Sequence, residues 1–93
     1  MKYRLETSRQ YLRDLRLARK RGLDEEKLNE VILKLLMGEP LPPHNRDHAL
    51  TGKYRRFREC HISPDWLLIY MVDEVVRIVM LARTGSHSDL FGK

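Results

Sequence analysis

Hydrophobic and polar positions alternate at the start of the chain, recur with a helical period through its first half, and return to alternation in its second half. Residues 2–6 set Lys2, Arg4 and Glu6 against Tyr3 and Leu5, the pattern of a short strand with its apolar residues inward. Thr7 or Ser8 then caps a helix running to about Arg21, with Tyr11, Leu12, Leu15 and Ala18 on one face and Gly22 as the stop. Asp24 caps a second helix, whose Leu28, Val31, Ile32, Leu35 and Leu36 follow i, i+3, i+4, i+7, i+8. Glu25 and Glu26 favour its first turn, and Gly38 and Pro40 end it. With a link of about two residues between them, the helices form an antiparallel hairpin whose joint apolar face covers a sheet.

From Glu39 to Gly52 the chain holds three prolines and little apolar pattern, which predicts an exposed loop delivering His44, Asp47 and His48. Three strands follow, roughly Lys53–Ile62, Trp66–Val72 and Val75–Arg83, with turns at Ser63-Pro64 and Asp73-Glu74. Neither turn is of the Asn-Gly or Asp-Gly type, so side-chain pattern has to set the register. Pairing Val72 with Val75 sets Met71 beside Val76, Ile69 beside Ile78 and Leu67 beside Met80, an apolar face for the helices. The opposite face then carries Trp66, Leu68 and Tyr70 with Arg77, Val79, Leu81 and Arg83. A tight turn at Ser63-Pro64 brings His61 next to Trp66, so His61, Trp66 and Arg83 converge with Asp65 at one end of the sheet. A slip by one residue would invert the faces. The fold class is α+β: an N-terminal strand, an antiparallel helical hairpin, and an antiparallel sheet formed with a C-terminal three-stranded meander. The pattern does not fix where the first strand joins.

Ninety-three residues suffice for one modest core, so residues 1–93 are expected to form a single domain. The net charge of +5 is uneven: residues 1–22 carry eight Lys/Arg against Glu6 and Asp14, the remainder ten against eleven acids. Arg9, Arg13, Arg16 and Lys20 are spaced by four, three and four residues, which makes a cationic stripe along the first helix. Such a stripe suits a polyanion, nucleic acid above all, although a solvated face would look the same. One cysteine, Cys60, cannot form an internal disulfide, so the cytoplasm is the expected compartment. The longest apolar runs, Trp66–Val72 and Ile78–Ala82, fall far short of a membrane span, and the first residues lack a signal-like apolar stretch.

Candidate chemistry gathers in the second half. His48, His61 and His87 stand with Asp65 and Arg83 around two phrases, His61–Trp66 and Arg83–His87, and imidazoles add little to a core. RNA is cut without a metal when a base takes the 2′-hydroxyl proton, an acid protonates the leaving 5′-oxygen, and cations hold the charged transition state. Imidazole suits both proton transfers and Arg the phosphate. Asp65 could orient an imidazole or act as base, and Trp66 or Phe91 could stack an unpaired base. His44 reads as a solvated loop residue. His44, His48, Cys60 and His61 also offer four zinc-type ligands, but neighbours on a strand point to opposite faces, so Cys60 reads as core and no cofactor is expected.

Asp47–Gly52, Arg58–Tyr70, Arg83–His87 and Leu90–Gly92, in this order and spacing, resemble the YafQ branch of the RelE/ParE toxin superfamily. The resemblance covers essentially residues 47–92, while the helical hairpin matches only in type and length. It implies a RelE-like fold and a bacterial type II toxin, an mRNA interferase acting in the ribosomal A site with no metal. It also implies a RelB/DinJ-like antitoxin partner, a heterotetrameric complex, and contact with operator DNA only through the antitoxin. The family's functional residues fall on His48, His61, Asp65, Trp66, Arg83, His87 and Phe91. Which group is base and which is acid stays open, because coupled groups titrate as a set. Two rivals remain: a ParE-like gyrase inhibitor, against which the histidines argue, and a non-enzymatic RNA- or protein-binding module using Arg9, Arg13, Arg16 and Lys20.

Overall fold

Both helices begin at caps the sequence supplies. In the computed structural model, which describes residues 1–92, Ser8 Oγ accepts from the Tyr11 N–H at 2.9 Å and Asp24 Oδ1 from the Glu26 N–H at 3.1 Å. They open α1 (Arg9–Lys20) and α2 (Glu25–Met37). Gly38 ends α2 at a φ of 71°, a left-handed cap that glycine adopts without steric cost. Five strands form one sheet: β1 (Arg4–Thr7), β2 (His48–Ala49), β3 (Arg58–Ser63), β4 (Trp66–Asp73) and β5 (Ile78–Gly85). A last short helix, α3, spans His87–Phe91.

The order across the sheet is β1-β5-β4-β3-β2. The meander is antiparallel, but β1 lies parallel to β5, so the sheet is mixed and not wholly antiparallel as expected. Ser8 secures that edge by donating its N–H to the Leu81 carbonyl and its hydroxyl to that of Ala82. β1 is exposed along its length. Tyr3, just before it, is the inward residue, whereas Leu5 faces out against expectation.

The register of β4 and β5 differs from the sequence reading, and the difference inverts the sheet. Asp73 pairs with Ile78, leaving Glu74–Arg77 as the turn; Val72 therefore meets Val79, not Val75. Asp73 Oδ1 accepts from the N–H groups of Val75 (2.9 Å) and Val76 (3.1 Å), and Arg77 closes the turn at a φ of 61°. This local hydrogen bonding leaves Val75 90% exposed. Leu68, Tyr70, Val79 and Leu81 consequently face the helices, packing with Cys60, Ile62 and Trp66 against Tyr11, Ala18, Leu28, Val31, Leu35 and Leu36. Ile69, Met71, Ile78 and Met80, expected beneath the helices, lie on the other face and are only partly buried. A bulge between Ile69 and Tyr70 then slips the pairing so that Ile69 meets Arg83.

The segment before β3 is tied down more than its prolines suggest. Asn45 is buried and donates through Nδ2 to the His61 carbonyl at 2.7 Å. Asp47 accepts from the Tyr70 hydroxyl at 2.5 Å and from Arg58 at 3.1 Å. Lys53–Arg56, read as strand, instead form the tip of a β2–β3 hairpin, with a 3-10 turn at Gly52–Tyr54. Among the described residues no helix is long and apolar enough to cross a membrane.

Candidate active site

Alternation along β3 decides which side chains leave the core. Cys60 and Ile62 point to the helices, so Glu59 and His61 emerge on the opposite face. Pairing carries that face across the sheet in two rows: His48, Glu59, Ile69 and Arg83, and beside it His61, Leu67 and Gly85. Glu59 is the hinge of the arrangement. Its side chain is 8% exposed, and Oε1 lies 3.6 Å from His48 Nε2 and 3.8 Å from His61 Nε2.

His87 enters from α3. Asp65 Oδ1, at the β3–β4 turn, accepts from the His87 backbone N–H at 2.9 Å and from its Nδ1–H at 2.6 Å. These bonds, the backbone one first and then the ring one, hold the Asp65 carboxyl below the ordinary carboxylate range. A carboxylate only accepts, so Nδ1 carries the proton and Nε2 is left for chemistry. The same reasoning applies to His48, whose Nδ1 lies 2.8 Å from the Arg46 carbonyl. The His61 and His87 rings are 5.7 Å apart and tilted by 60°.

Short local bonds hold α3 against the sheet. Ser86 and Asp89 form a reciprocal capping box, and Asp89 also pairs with Arg21 at 2.6 Å. Arg21 first and the Ser86 N–H next drive the Asp89 carboxyl well below its ordinary range. Gly85 permits the close fit, since a Cβ there would lie 3.0 Å from Asp89 Cβ.

Arg83 is held from the helical layer. Its Nε and Nη2 donate to Asp14 at 2.9 and 3.2 Å, which raises the guanidinium above its ordinary value. The Thr84 N–H donates to the same carboxylate at 3.1 Å. Arg83 thus keeps a fixed position beside Ile69, with Nη1 unused by the pairing.

Of the residues singled out in the sequence, His48, His61, Asp65 and His87 meet on the open face, with Arg83 in the cross-strand row that begins at His48. Trp66 does not join them. It is 3% exposed, lies in the core and donates its indole N–H to Thr84 Oγ1 at 2.8 Å, so its expected base-stacking role and its convergence with His61 are corrected. The register explains this: Trp66 pairs with Ser63 while His61 pairs with Leu67. Phe91 is 46% exposed on α3, four residues and hence one turn from His87. Arg9, Arg13, Arg16 and Lys20 are exposed on α1, in the helical layer and not among the histidines. Sequence reasoning missed Glu59 and Asp14, which look like ordinary solvated acids but contact the histidines and Arg83.

Chemically, the group offers two imidazoles whose Nδ1 atoms are committed, His87 to Asp65 and His48 to the Arg46 carbonyl, a third, His61, that faces the Glu59 carboxyl together with His48 Nε2, and a fixed guanidinium. That set can remove one proton, deliver another and hold a phosphate.

A family model described as the bacterial toxin of type II toxin-antitoxin system, YafQ, matches residues 3–92. The mRNA interferase toxin YafQ of Escherichia coli K12 is 39% identical over 89 residues, 95% of each chain. The solved E. coli DinJ-YafQ toxin-antitoxin complex contains a chain of similar fold, with a TM-score of 0.89 at 38% identity, covering 99% of this chain and 100% of that one. A metal-bound toxin from Helicobacter pylori superposes with a TM-score of 0.90 at 40% identity, covering 96% and 99%.

Proposed function

The chain belongs to the YafQ family of bacterial type II toxins, and from that premise we propose that it is an mRNA interferase, cutting messenger in the ribosomal A site. The observation that carries the chemistry is the pairing of His87 with Asp65, 5.7 Å from a His61 that shares the Glu59 carboxylate with His48. In the reaction the 2′-oxygen attacks the adjacent phosphorus and the bond from phosphorus to the 5′-oxygen breaks. The 2′-hydroxyl proton passes to one Nε2, and the other imidazole, protonated, gives its proton to the leaving oxygen. His48 and His87 take these two parts, His61 links them, and Asp65 positions His87. Arg83 faces the phosphorane-like transition state with a charge that no accessible pH removes. The products are a 2′,3′-cyclic phosphate, or the 3′-phosphate formed by its hydrolysis, and a free 5′-hydroxyl. No metal takes part.

Action on translating ribosomes places the protein in the cytoplasm. A DinJ-like antitoxin holds it inactive, the partnership seen in the solved E. coli complex. Inducible expression followed by mapping of mRNA 5′ ends tests the substrate. Cuts in frame with codons, absent from His87→Ala, are expected; scattered cuts would make it a ribosome-independent nuclease, and none a toxin with another target.

A further inference from the structure

His87 is carried by α3, a helix of five residues, too short to keep its shape without contacts from outside. Asp65 accepts the backbone and ring N–H groups of His87, and Arg21 grips Asp89 with both arms of its guanidinium, Nη1 at 2.6 Å and Nη2 at 3.1 Å. The same Asp89 carboxylate accepts the Ser86 N–H at 2.9 Å, so the group that Arg21 holds closes the turn leading into His87. Arg21 is itself fixed, because as the cap of α1 it donates its N–H to the Leu17 carbonyl at 3.0 Å. It stands seven residues, two helical turns, beyond Asp14, so one face of α1 holds Arg83 through Asp14 and α3 through Arg21. These four side chains line a cleft of about 260 Å³ between α1 and the junction of β5 with α3. The two ion pairs therefore span a gap that apolar packing leaves open. Charge acts in the same sense: Asp65 and Asp89 repel each other, and the Arg21 cation attracts both, which keeps the β3–β4 turn and α3 together.

We propose that Arg21 is a positioning residue for the cleavage reaction: by holding Asp89 it fixes the first turn of α3, and with it the place and direction of the His87 imidazole on Asp65. The inference rests on the ribonuclease reading above and adds to it a residue of the helical layer that touches no reacting atom. With its side chain 44% exposed, the Arg21–Asp89 pair adds little to stability, so its consequence is geometric. A catalytic group misplaced by ~1 Å costs on the order of 100-fold in rate.

The test compares full-length wild type with Arg21→Gln, Arg21→Lys, Asp89→Asn and the double variant Arg21→Gln/Asp89→Asn. Single-turnover cleavage of ribosome-bound messenger over a range of toxin concentrations separates the maximal rate from the half-saturating concentration. Nitrogen NMR of the free toxins follows the His87 tautomer and the exchange of its backbone and ring protons. Arg21→Gln should fold, lose ~10–100-fold in maximal rate with half-saturation changed less than ~3-fold, and exchange the His87 protons faster. Arg21→Lys keeps the charge without the fork and should recover part of the rate. Because Arg21 acts through Asp89, the double variant should be no slower than Asp89→Asn alone. A full maximal rate with weakened half-saturation in Arg21→Gln would make Arg21 a substrate contact, and additive losses in the double variant would take Asp89 out of its path; either overturns the proposal. Unaltered His87 exchange in Arg21→Gln overturns it whether or not messenger is cut. A wild type that leaves ribosome-bound messenger intact fails the ribonuclease reading instead, and the NMR comparison still decides the positioning.

Discussion

Replacing Asp14 tests how the helical layer supports the site. Its carboxylate is 9% exposed and accepts four bonds, two from Arg83, one from the Thr84 N–H and one from Gln10 Nε2 on the same helix. Asp14→Ala leaves the N–H of a residue 1% exposed without its acceptor, at a cost of ~1–3 kcal/mol. Arg83, whose side chain is 36% exposed, regains water, so loss of its ion pair adds only ~0.5–1 kcal/mol. The sum, about 1.5–4 kcal/mol, lowers the melting temperature of a domain this size by ~6–30 °C. Asp14→Asn keeps an acceptor for Thr84 and should cost about 1 kcal/mol. Trp66 supplies the assay: it is the single tryptophan, buried, and bonded to Thr84, so its fluorescence reports urea unfolding of this region. A midpoint for Asp14→Ala unchanged to within ~0.5 kcal/mol would refute the anchoring role.

The remaining predictions concern groups the structure has taken out of ordinary chemistry. The depressed Asp89 carboxyl contributes stability above the ordinary carboxylate pKa of ~3.9, and this is lost as pH falls below it. Asp89→Asn should therefore be less stable than wild type at pH 7 but lose less between pH 5 and pH 2, measured by urea midpoints. Burial pushes the Cys60 thiol up to about 12, so the native protein should not react with a thiol reagent at pH 8, and denatured protein should react at once. Trp66→Phe removes a buried hydrogen bond and should cost ~1–2 kcal/mol of stability while leaving the cleavage rate of folded protein unchanged; a large rate loss at full stability would restore a substrate-facing role.

The helices were legible because their signals are local. Ser8, Asp24 and Gly38 act within four residues of where they stand, and the apolar period of α2 admits one buried face. The sheet was not, because β4 and β5 are apolar on both sides. Ile69, Met71, Ile78 and Met80 read as a core face as well as Leu68, Tyr70, Val79 and Leu81 do, and only the Glu74–Arg77 turn separates the two registers. Valines at 75 and 76 invite extension of the strand, yet the Asp73 carboxylate takes both their amides for the turn. That misreading carried Trp66 to the wrong face. The histidines with Asp65 were found by residue type, whereas the partners that organise them, Glu59 and Asp14, become visible only when distant strands and α1 meet.

The decisive measurement is single-turnover cleavage of a messenger held in the A site of a programmed ribosome, by wild type and by His87→Ala, with and without chelator. General acid–base catalysis by His87 predicts a rate ~10²–10⁴-fold lower in the variant and no chelator effect on the wild type. An undiminished rate in His87→Ala, or wild-type activity abolished by chelator, would contradict metal-free histidine catalysis at this site.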